Sequence, residues 1–177
     1  MIGLNHGIHA GVFGEGLMMA SITGKTRHLF GPDAMSFAGT FDASSGVAMG
    51  IEKGGLVVLR GDKAGIYNLN DLGVGVGGIT VSAGVEVVKL YTSSATVMKS
   101  HFYGPRYEAN LSFTVGCVNI GGTAIYARHS QGFTIGYGVT IGVDAIPFNV
   151  GFNHNKGASS EYFYQLTPEL RNAFNSW

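Results

Sequence analysis

The sequence has few charges, a single cysteine and no long apolar run, and each of these shortages excludes a class of protein. Charged residues make up 12% of the chain, about half the share usual for a soluble domain. Its 11 basic and 11 acidic residues give a net charge of zero, which argues against nucleic acid as a partner, because such binding needs a basic surface. The one cysteine, Cys117, excludes a disulfide within the chain.

Signals for export and for a membrane-spanning helix are also missing. No basic residue precedes the apolar stretch Leu17–Ile22, so the N-terminus does not resemble a Sec signal peptide. The apolar runs are much shorter than the roughly 20 residues that a membrane-spanning helix needs. If the protein leaves its cell, we expect another export route or delivery as part of a larger polypeptide.

Glycine is abundant, with 29 residues in the chain, and it alternates with apolar residues in Leu72–Tyr91 and Phe133–Val143. A strand places successive side chains on opposite faces, so this spacing predicts strands with one apolar face and one face of mostly Gly, Ser and Thr. The apolar face is defined by Ile79, Val81, Val85, Val87, Phe133, Ile135, Tyr137, Val139 and Ile141. Cys117 follows a similar pattern, which predicts a buried, inert thiol.

Short strand patterns separated by turn signals cover most of the chain and predict a single all-β domain over residues 1–177. The expected architecture is an antiparallel β-sandwich or barrel that begins with two short strands around Gly14–Gly16. One helix is predicted, because Thr167-Pro168 is a typical helix start, and it would run to about Asn175. We therefore expect residues 151–177 to form a linker and this short C-terminal α-helix.

The sequence also contains an internal echo. The pentapeptide His28–Pro32 recurs 73 residues later as His101–Pro105, each time as a histidine, two apolar or aromatic residues and Gly-Pro. Further matches lie upstream at the same spacing, including Leu17 with Leu90. The echo predicts two duplicated β-meanders, residues 1–72 and 73–150, related by a pseudo-twofold axis.

Motifs for catalysis or cofactor binding are absent on inspection. Gly73–Gly78 matches G-x-G-x-x-G, but a strand pattern follows where a dinucleotide site needs a helix. His6 and His9 would lie on opposite faces of a strand, so we expect neither a metal nor a cofactor. His28 and His101 have two interpretations: each closes its turn through a hydrogen bond, or together they form a paired functional site.

The strands with two unlike faces suit two environments. In a membrane barrel, apolar residues face lipid and alternate with small or polar residues that face the lumen, in strands of about 9–11 residues. Phe133–Val143 and Ile79–Val88 fit that description. In a soluble sandwich or barrel, the same apolar row packs inside. We expect the second arrangement in the resting fold, because residues 1–72 show no such long strands.

The segment GVGVGGITVSAGVEV, residues 73–87, resembles glycine-rich β segments in the C-terminal domains of bacterial polymorphic toxins of the Rhs type. The likeness is one of composition over about residues 72–143, and it assigns a role to no residue. It implies a domain delivered into or onto a competing cell, with an immunity or carrier protein as a partner.

Three functions are therefore compared. The favoured one is a toxin-like, membrane-directed β domain that forms a pore after oligomerisation, with the nine apolar-face residues contacting lipid or other copies. The first alternative is a non-catalytic β protein that self-assembles or binds a partner through exposed strand edges. The second alternative is a hydrolase that uses the histidines, although no arrangement of catalytic residues supports an enzyme.

Overall fold

A computed structural model describes residues 14–144, 148–158, 162–165 and 169, with side chains for residues 14–144 and Glu169. Its strands form a single antiparallel sheet, which confirms the predicted all-β class. The strands are β1 Ala34–Val58, β2 Gly65–Thr92, β3 Gly104–Val115, β4 Val118–His129, β5 Gly132–Asp144, β6 Phe148–Ala158 and β7 Tyr162–Gln165. The short β7 pairs with the start of β2.

β1 and β2 form a long hairpin that folds back on itself. An extended strand of the 25 residues of β1 would span about 80 Å. Nevertheless, the backbone N–H of Leu59, just after β1, donates to the carbonyl oxygen of Asp33, just before it, at 2.9 Å. The fold lies at a bulge between Ser45 and Gly46, where Gly46 has a φ of 93°. This is a backbone region that glycine enters without strain.

β2 bends at the same level, near Gly77 and Gly78, and this bend closes the sheet. Residues 70–77 of β2 pair with β6, and residues 82–92 pair with β5. β5, β4, β3 and β6 pair in that order, so five strands form a closed circuit. Neighbouring antiparallel strands run in opposite directions, so a closed circuit normally needs an even number of strands. Here the circuit has five, and it closes because the two halves of β2 run in opposite directions and act as two strands. The sheet is therefore a barrel.

The order of pairing repeats around the barrel when the halves of β1 and β2 are counted separately. Residues 34–92 then supply four strands, and residues 104–158 supply four more. In each unit the first strand pairs with the fourth and the second with the third. The units differ in how their first two strands meet. β3 and β4 form a hydrogen-bonded hairpin, whereas the two halves of β1 meet at Gly54, where a side chain would overlap the backbone at Phe37. The repeats 1–72 and 73–150, which have other boundaries, stay a prediction.

Residues 14–23 form a helix, α1, so the prediction of two short strands around Gly14–Gly16 is wrong. The buried residues Gly16, Met19 and Thr23 follow the spacing of one helical face. Gly16 has no side chain to keep the helix away from the chain at residues 28–29, whose backbone oxygens lie against it. Packing against this neighbouring turn therefore decides the structure of the segment.

A 3-10 turn precedes each unit of four strands. The turns are Thr26–Phe30 and Lys99–His101, and each is followed by a glycine with positive φ, 129° at Gly31 and 108° at Gly104. The two histidine turns of the sequence echo thus share a local structure. The matches upstream of the turns do not, because they align residues of α1 with residues at the end of β2. The predicted C-terminal helix lies outside the described residues, apart from Glu169, which is helical.

The interior of the barrel has an apolar part and a polar part. We call the end that carries the two 3-10 turns the histidine end, and the end at which β1 and β2 fold back the bend end. The apolar core lies at the histidine end and contains Ala34, Leu56, Val58, Tyr67, Val88, Leu90, Val97, Phe102 and Ile125. No helix among the described residues is both long and apolar enough to cross a membrane. Toward the bend end, the interior is polar.

Candidate functional site: an apolar exterior around a polar interior

The row of apolar residues found in the sequence lies on the outside of the barrel. Ile79 is 73% exposed and Ile141 is 60% exposed. Val81, Val85, Val87 and Val139 are also exposed, while Phe133, Ile135 and Tyr137 are half-buried on the same outer face. The expectation that this row packs inside is therefore wrong. The alternating residues, mostly Gly, Ser and Thr, face inward instead.

Space and charge explain why the sheet curves this way. The interior of a barrel with about eight strands is only wide enough to be filled by side chains. Gly138 and Gly142 lie directly against the backbone of β2, where a side chain at either position would overlap a carbonyl oxygen. The inward row also carries charged groups from several strands, which can pair with one another only inside. The row of branched apolar side chains would therefore not fit inside the barrel, and the row of small side chains does.

On β3, β4 and β5 the outward residues are apolar over roughly nine residues, and the exterior becomes polar at the histidine end. Tyr107 faces Tyr126 across the β3–β4 ladder, and Tyr137 lies beside the ammonium group of Lys89, with 5.7 Å between nitrogen and ring centre. Arg128 lies at the same end, near the last residue of β4. Aromatic and basic side chains thus mark one border of the apolar exterior.

Among the described side chains, none places a charge on the outer surface of the bend end. Residues 38–50, 73–85, 110–124 and 138–144 contain no lysine or arginine, and their two acidic residues belong to the inward row. The turn between β3 and β4 holds Cys117, which is exposed, so the prediction of a buried thiol is wrong. Cys117 lies in the two-residue turn that follows the last pair of the β3–β4 ladder, Val115 with Val118. Its side chain is therefore beyond the end of the sheet and cannot pack into the barrel interior.

A cavity of about 80 Å³ occupies the polar interior. Hydroxyl and carboxyl groups from β1 to β5 line it, together with several glycines. It extends from the middle of the barrel to Ser44 and Gly77, next to the bends. The apolar core closes the other direction, so the described part of the barrel interior opens toward the bend end.

Arg106 lies at the centre of the buried charges. Its Nη2 donates to Oε2 of Glu52 at 2.8 Å, and the same nitrogen lies 3.8 Å from Oε2 of Glu108. Its Nη1 pairs with the carboxylate of Asp71. These acids come from β1, β2 and β3, so the interaction links three strands across the interior. Removing one partner from a buried ion pair typically costs about 3–5 kcal/mol, which makes this cluster important for stability.

Glu86 is a further buried acid and has different partners. Its Oε1 accepts hydrogen bonds from the hydroxyl groups of Thr123 and, at 3.1 Å, Thr140. One carboxylate oxygen each from Glu52, Glu86 and Glu108 lie within 4.8 Å of one another. Sequence reasoning missed this cluster because the acids are far apart in the chain. The signal that could have found it is the position of Glu86 in the small, polar row of β2.

His28 is fully buried in a polar network at the histidine end. Its Nε2 lies 2.7 Å from Oδ2 of Asp33, and its Nδ1 lies 2.6 Å from the hydroxyl of Thr23 in α1. Arg27 also binds the Asp33 carboxylate, with its Nε 2.8 Å from Oδ1. Burial raises the pKa of Asp33, but the hydrogen bonds from His28 and Arg27 outweigh it and hold that pKa below its usual value. The histidine thus fixes α1 and its turn to the barrel.

His101 lies in the same network but makes different contacts. Its Nδ1 accepts the backbone N–H of Met98 at 3.3 Å, and its Nε2 lies 3.2 Å from Oε1 of Gln131. Its ring stacks on His129 with 4.2 Å between ring centres. Burial, and then His129, lower the pKa of His101. These contacts hold the second turn closed, as the first interpretation of the histidines expects.

Hydrogen bonds and one ring stack connect the two histidines. The carboxylate of Asp33 accepts the backbone N–H of Thr92 at 2.9 Å, and the Thr92 hydroxyl lies 3.2 Å from Nε2 of His129. His129 in turn stacks on His101. The structure therefore brings His28 and His101 into one network through intermediates, which include the hydroxyl group of Thr92. A paired functional site stays a prediction.

Helix α1 packs on the outside of the barrel at the histidine end. Glu15 bonds the Lys89 ammonium group at 2.9 Å and the Tyr91 hydroxyl at 2.6 Å. The helix also exposes Leu17 and Ile22, which are both more than half exposed. The helix thus adds further apolar surface beside the aromatic and basic border.

Comparisons with protein-family models, with curated proteins and with solved structures found no match to this chain. The function is therefore argued from the geometry of the barrel.

Proposed function

We propose that this protein is a membrane-directed β domain that embeds the apolar exterior of its barrel in a lipid bilayer. The observation that carries the proposal is the inverted distribution of side chains, with branched apolar residues outside and charged residues inside. Outward apolar residues that alternate with inward polar or small residues are typical of membrane barrels. On β3, β4 and β5 the apolar stretches are about nine residues long, which matches the length of strands that cross a bilayer.

The shape of the apolar surface favours lipid over a protein partner. Exposed apolar residues occur on β1, β2, β3, β4 and β5, and therefore around most of the circumference. Soluble monomers rarely expose contiguous apolar patches of more than a few hundred Å². A single protein partner would cover one side, whereas a bilayer surrounds a barrel. The alternative, self-assembly through these strands, would need copies on several sides.

The distribution of charge suggests an orientation. Tyrosines, lysines and arginines at the histidine end resemble the aromatic and basic residues enriched at membrane–water interfaces. The described side chains of the bend end carry no outward charge, so this part of the barrel can enter a bilayer without the cost of burying one. We therefore assign the histidine end to the side from which the domain approaches and the bend end to the part that inserts first.

The interior suggests how a pore could form. The apolar core fills the histidine end, so the described side chains of a single barrel leave no open path through it. We therefore infer that a pore would lie between several barrels, and pore formation after oligomerisation stays a prediction. The toxin-like role and an immunity or carrier partner stay predictions, which growth inhibition on expression and a co-purifying partner would test.

Labelling of the single cysteine tests the proposal. The protein is added to preformed liposomes, and a membrane-impermeant maleimide is then added outside. We expect Cys117, at the bend end, to be protected until detergent dissolves the vesicles. The matched control carries Cys117→Ser and Lys63→Cys, which places the only thiol at the histidine end. We expect that thiol to react equally with and without detergent.

Two outcomes would contradict the proposal. Equal reaction of Cys117 with and without detergent would show that the bend end stays in water. Protection of Cys117 in lipid-free protein, together with oligomers in mass photometry, would show that other copies cover the exterior, and would favour the self-assembling alternative.

A further inference from the structure

His101 and His129 form a stacked pair of imidazole rings at the histidine end. Their ring centres are 4.2 Å apart, and the ring planes differ by 13°. His101 is only 3% exposed, and His129 is half-buried. Histidine is the side chain whose ordinary pKa, about 6.5, lies closest to neutral pH. The pair is therefore placed to respond to a mild change of pH.

The hydrogen bonds of His101 require a neutral ring. Its Nδ1 accepts the backbone N–H of Met98 at 3.3 Å, so this nitrogen carries no proton in the folded state. Its Nε2 therefore carries the ring proton and donates it to Oε1 of Gln131 at 3.2 Å. A charged imidazole has an N–H at both nitrogens. A proton added to Nδ1 would thus point at the N–H of Met98, and the bond that closes the turn would be lost.

The surroundings of the pair oppose an added positive charge. Burial, and then the charge of His129, lower the pKa of His101, whereas the bond to Gln131 and the charge of Asp33 raise it. Burial also lowers the pKa of His129. The charge of Asp33 is already shared with Arg27 and His28. The charged and titratable groups around the pair are Arg27 in the first 3-10 turn, Asp33 just before β1, Lys99 in the second turn, Tyr103 just before β3, Arg106 in β3 and Arg128 beside His129 in β4.

The second 3-10 turn covers part of the apolar core. Phe102 directly follows the turn, is 6% exposed and belongs to the core, as does Val97 on the other side of the turn. The hydroxyl of Thr134 donates to the carbonyl oxygen of His101 at 2.9 Å and fastens the turn to β5. Release of the turn would therefore expose apolar side chains at the histidine end.

We propose that His101 and His129 form an acid-sensitive latch, which holds residues 98–103 over the apolar core while both rings are neutral and releases them when His101 binds a proton. The proton removes the bond from Met98 and leaves a buried cation without a new acceptor. A second proton, on His129, would place two like charges about as close as the stacked rings, which disfavours the closed turn further.

This inference concerns regulation at the histidine end, and it does not depend on insertion into a membrane. The latch is tested in detergent, whereas insertion is tested by the protection of Cys117 in vesicles. Either result can therefore fail while the other holds.

The lowered pKa of His101 determines the direction of the pH dependence. A histidine with a lowered pKa in the closed state takes up a proton when the latch opens. The closed turn is therefore most stable above the ordinary pKa of about 6.5, and its stability is lost as the pH falls toward the lower pKa of the closed state. Uptake of one proton changes the opening equilibrium by up to about tenfold per pH unit.

Hydrogen exchange of the full chain in detergent, between about pH 7.5 and about pH 5, tests the proposal around the ordinary pKa of histidine. The amides of Met98, His101 and Phe102 report on the turn, because they donate to Nδ1 of His101 and to the carbonyl oxygens of Met98 and Lys99. Each rate is compared with that of an unfolded peptide at the same pH, which removes the pH dependence of the exchange chemistry. We expect the protection of these amides to fall by up to about tenfold per pH unit below about 6.5. The amides of the β2–β5 ladder should stay protected.

Two variants separate the latch from other effects of acid. His101→Asn keeps an acceptor oxygen in place of Nδ1 but binds no proton in this pH range, so protection of its turn should not depend on pH. His129→Gln keeps a nitrogen for the hydroxyl of Thr92 and removes the neighbouring charge. The pKa of His101 should then rise toward its ordinary value, and acid should cause a smaller loss of protection than in the wild type.

Constant protection of the turn in the wild type over this pH range would overturn the proposal. An equal loss in His101→Asn would also overturn it, because the titrating group would then lie elsewhere. An equal loss in the β2–β5 ladder would indicate unfolding of the whole barrel instead of release of the turn. If thermal unfolding shows that His101→Asn does not fold, His129→Gln decides: a loss as large as in the wild type contradicts the paired latch, and a smaller loss supports it.

Discussion

A lysine at Val139 gives a decisive test of what surrounds the barrel. Val139 lies near the middle of β5, on the outer face, and is 54% exposed. If the exterior faces water, Val139→Lys is a surface change, and the free energy of unfolding should shift by no more than about 0.5 kcal/mol. Solubility should then improve, because a charge interrupts an apolar surface.

If the exterior faces lipid, the same substitution is expensive. A lysine at the bilayer midplane on the lipid face of a barrel costs about 2–4 kcal/mol, and the cost falls toward the interface. Since about 1.4 kcal/mol corresponds to a factor of ten, partitioning into vesicles should weaken by about 30-fold to 700-fold. Asn68→Lys, an outward position at the histidine end, is the control and should partition like the wild type.

The assay is flotation of the protein with liposomes over a range of lipid concentrations, with unfolding in detergent measured in parallel. The detergent measurement separates loss of partitioning from loss of folding. If Val139→Lys and Asn68→Lys both partition like the wild type, lipid does not contact the middle of β5. The membrane proposal would then have to be abandoned.

Two further predictions concern the fold. Gly54→Ala should lower the free energy of unfolding by about 1–3 kcal/mol, as overpacking does, because its methyl group would overlap the carbonyl oxygen of Phe37. Gly55→Ala is the control, since a methyl group there meets only ordinary contacts. If both variants unfold in denaturant with equal free energies, the two halves of β1 are not in close contact at Gly54. The lowered pKa of Asp33 should contribute stability that is complete above its unfolded pKa of about 3.9 and is lost as the pH falls through the lower folded pKa. Asp33→Asn should therefore be less stable at neutral pH and should lack this acid-dependent loss, which unfolding measured at several pH values would reveal.

Within the strands, the period-two pattern of the sequence determined which residues share a face. Ile79 and Val81 lie on one face, and Thr80 and Glu86 lie on the other, as alternation requires. This follows from local geometry, because a strand turns successive side chains to opposite sides whatever surrounds it. Turn chemistry was equally local, since Gly31 and Gly104 follow short 3-10 turns and adopt positive φ.

Only the tertiary structure decided which face lies inside. Alternation is unchanged when a sheet curves the other way, so the pattern cannot distinguish an apolar interior from an apolar exterior. The choice depends on contacts between distant segments, namely the fold-back at Gly46, the inward packing of Gly142 against β2, and the pairing of Arg106 with acids from other strands. The glutamate cluster has the same origin, because Glu52, Glu86 and Glu108 come from three strands and converge only when the barrel closes.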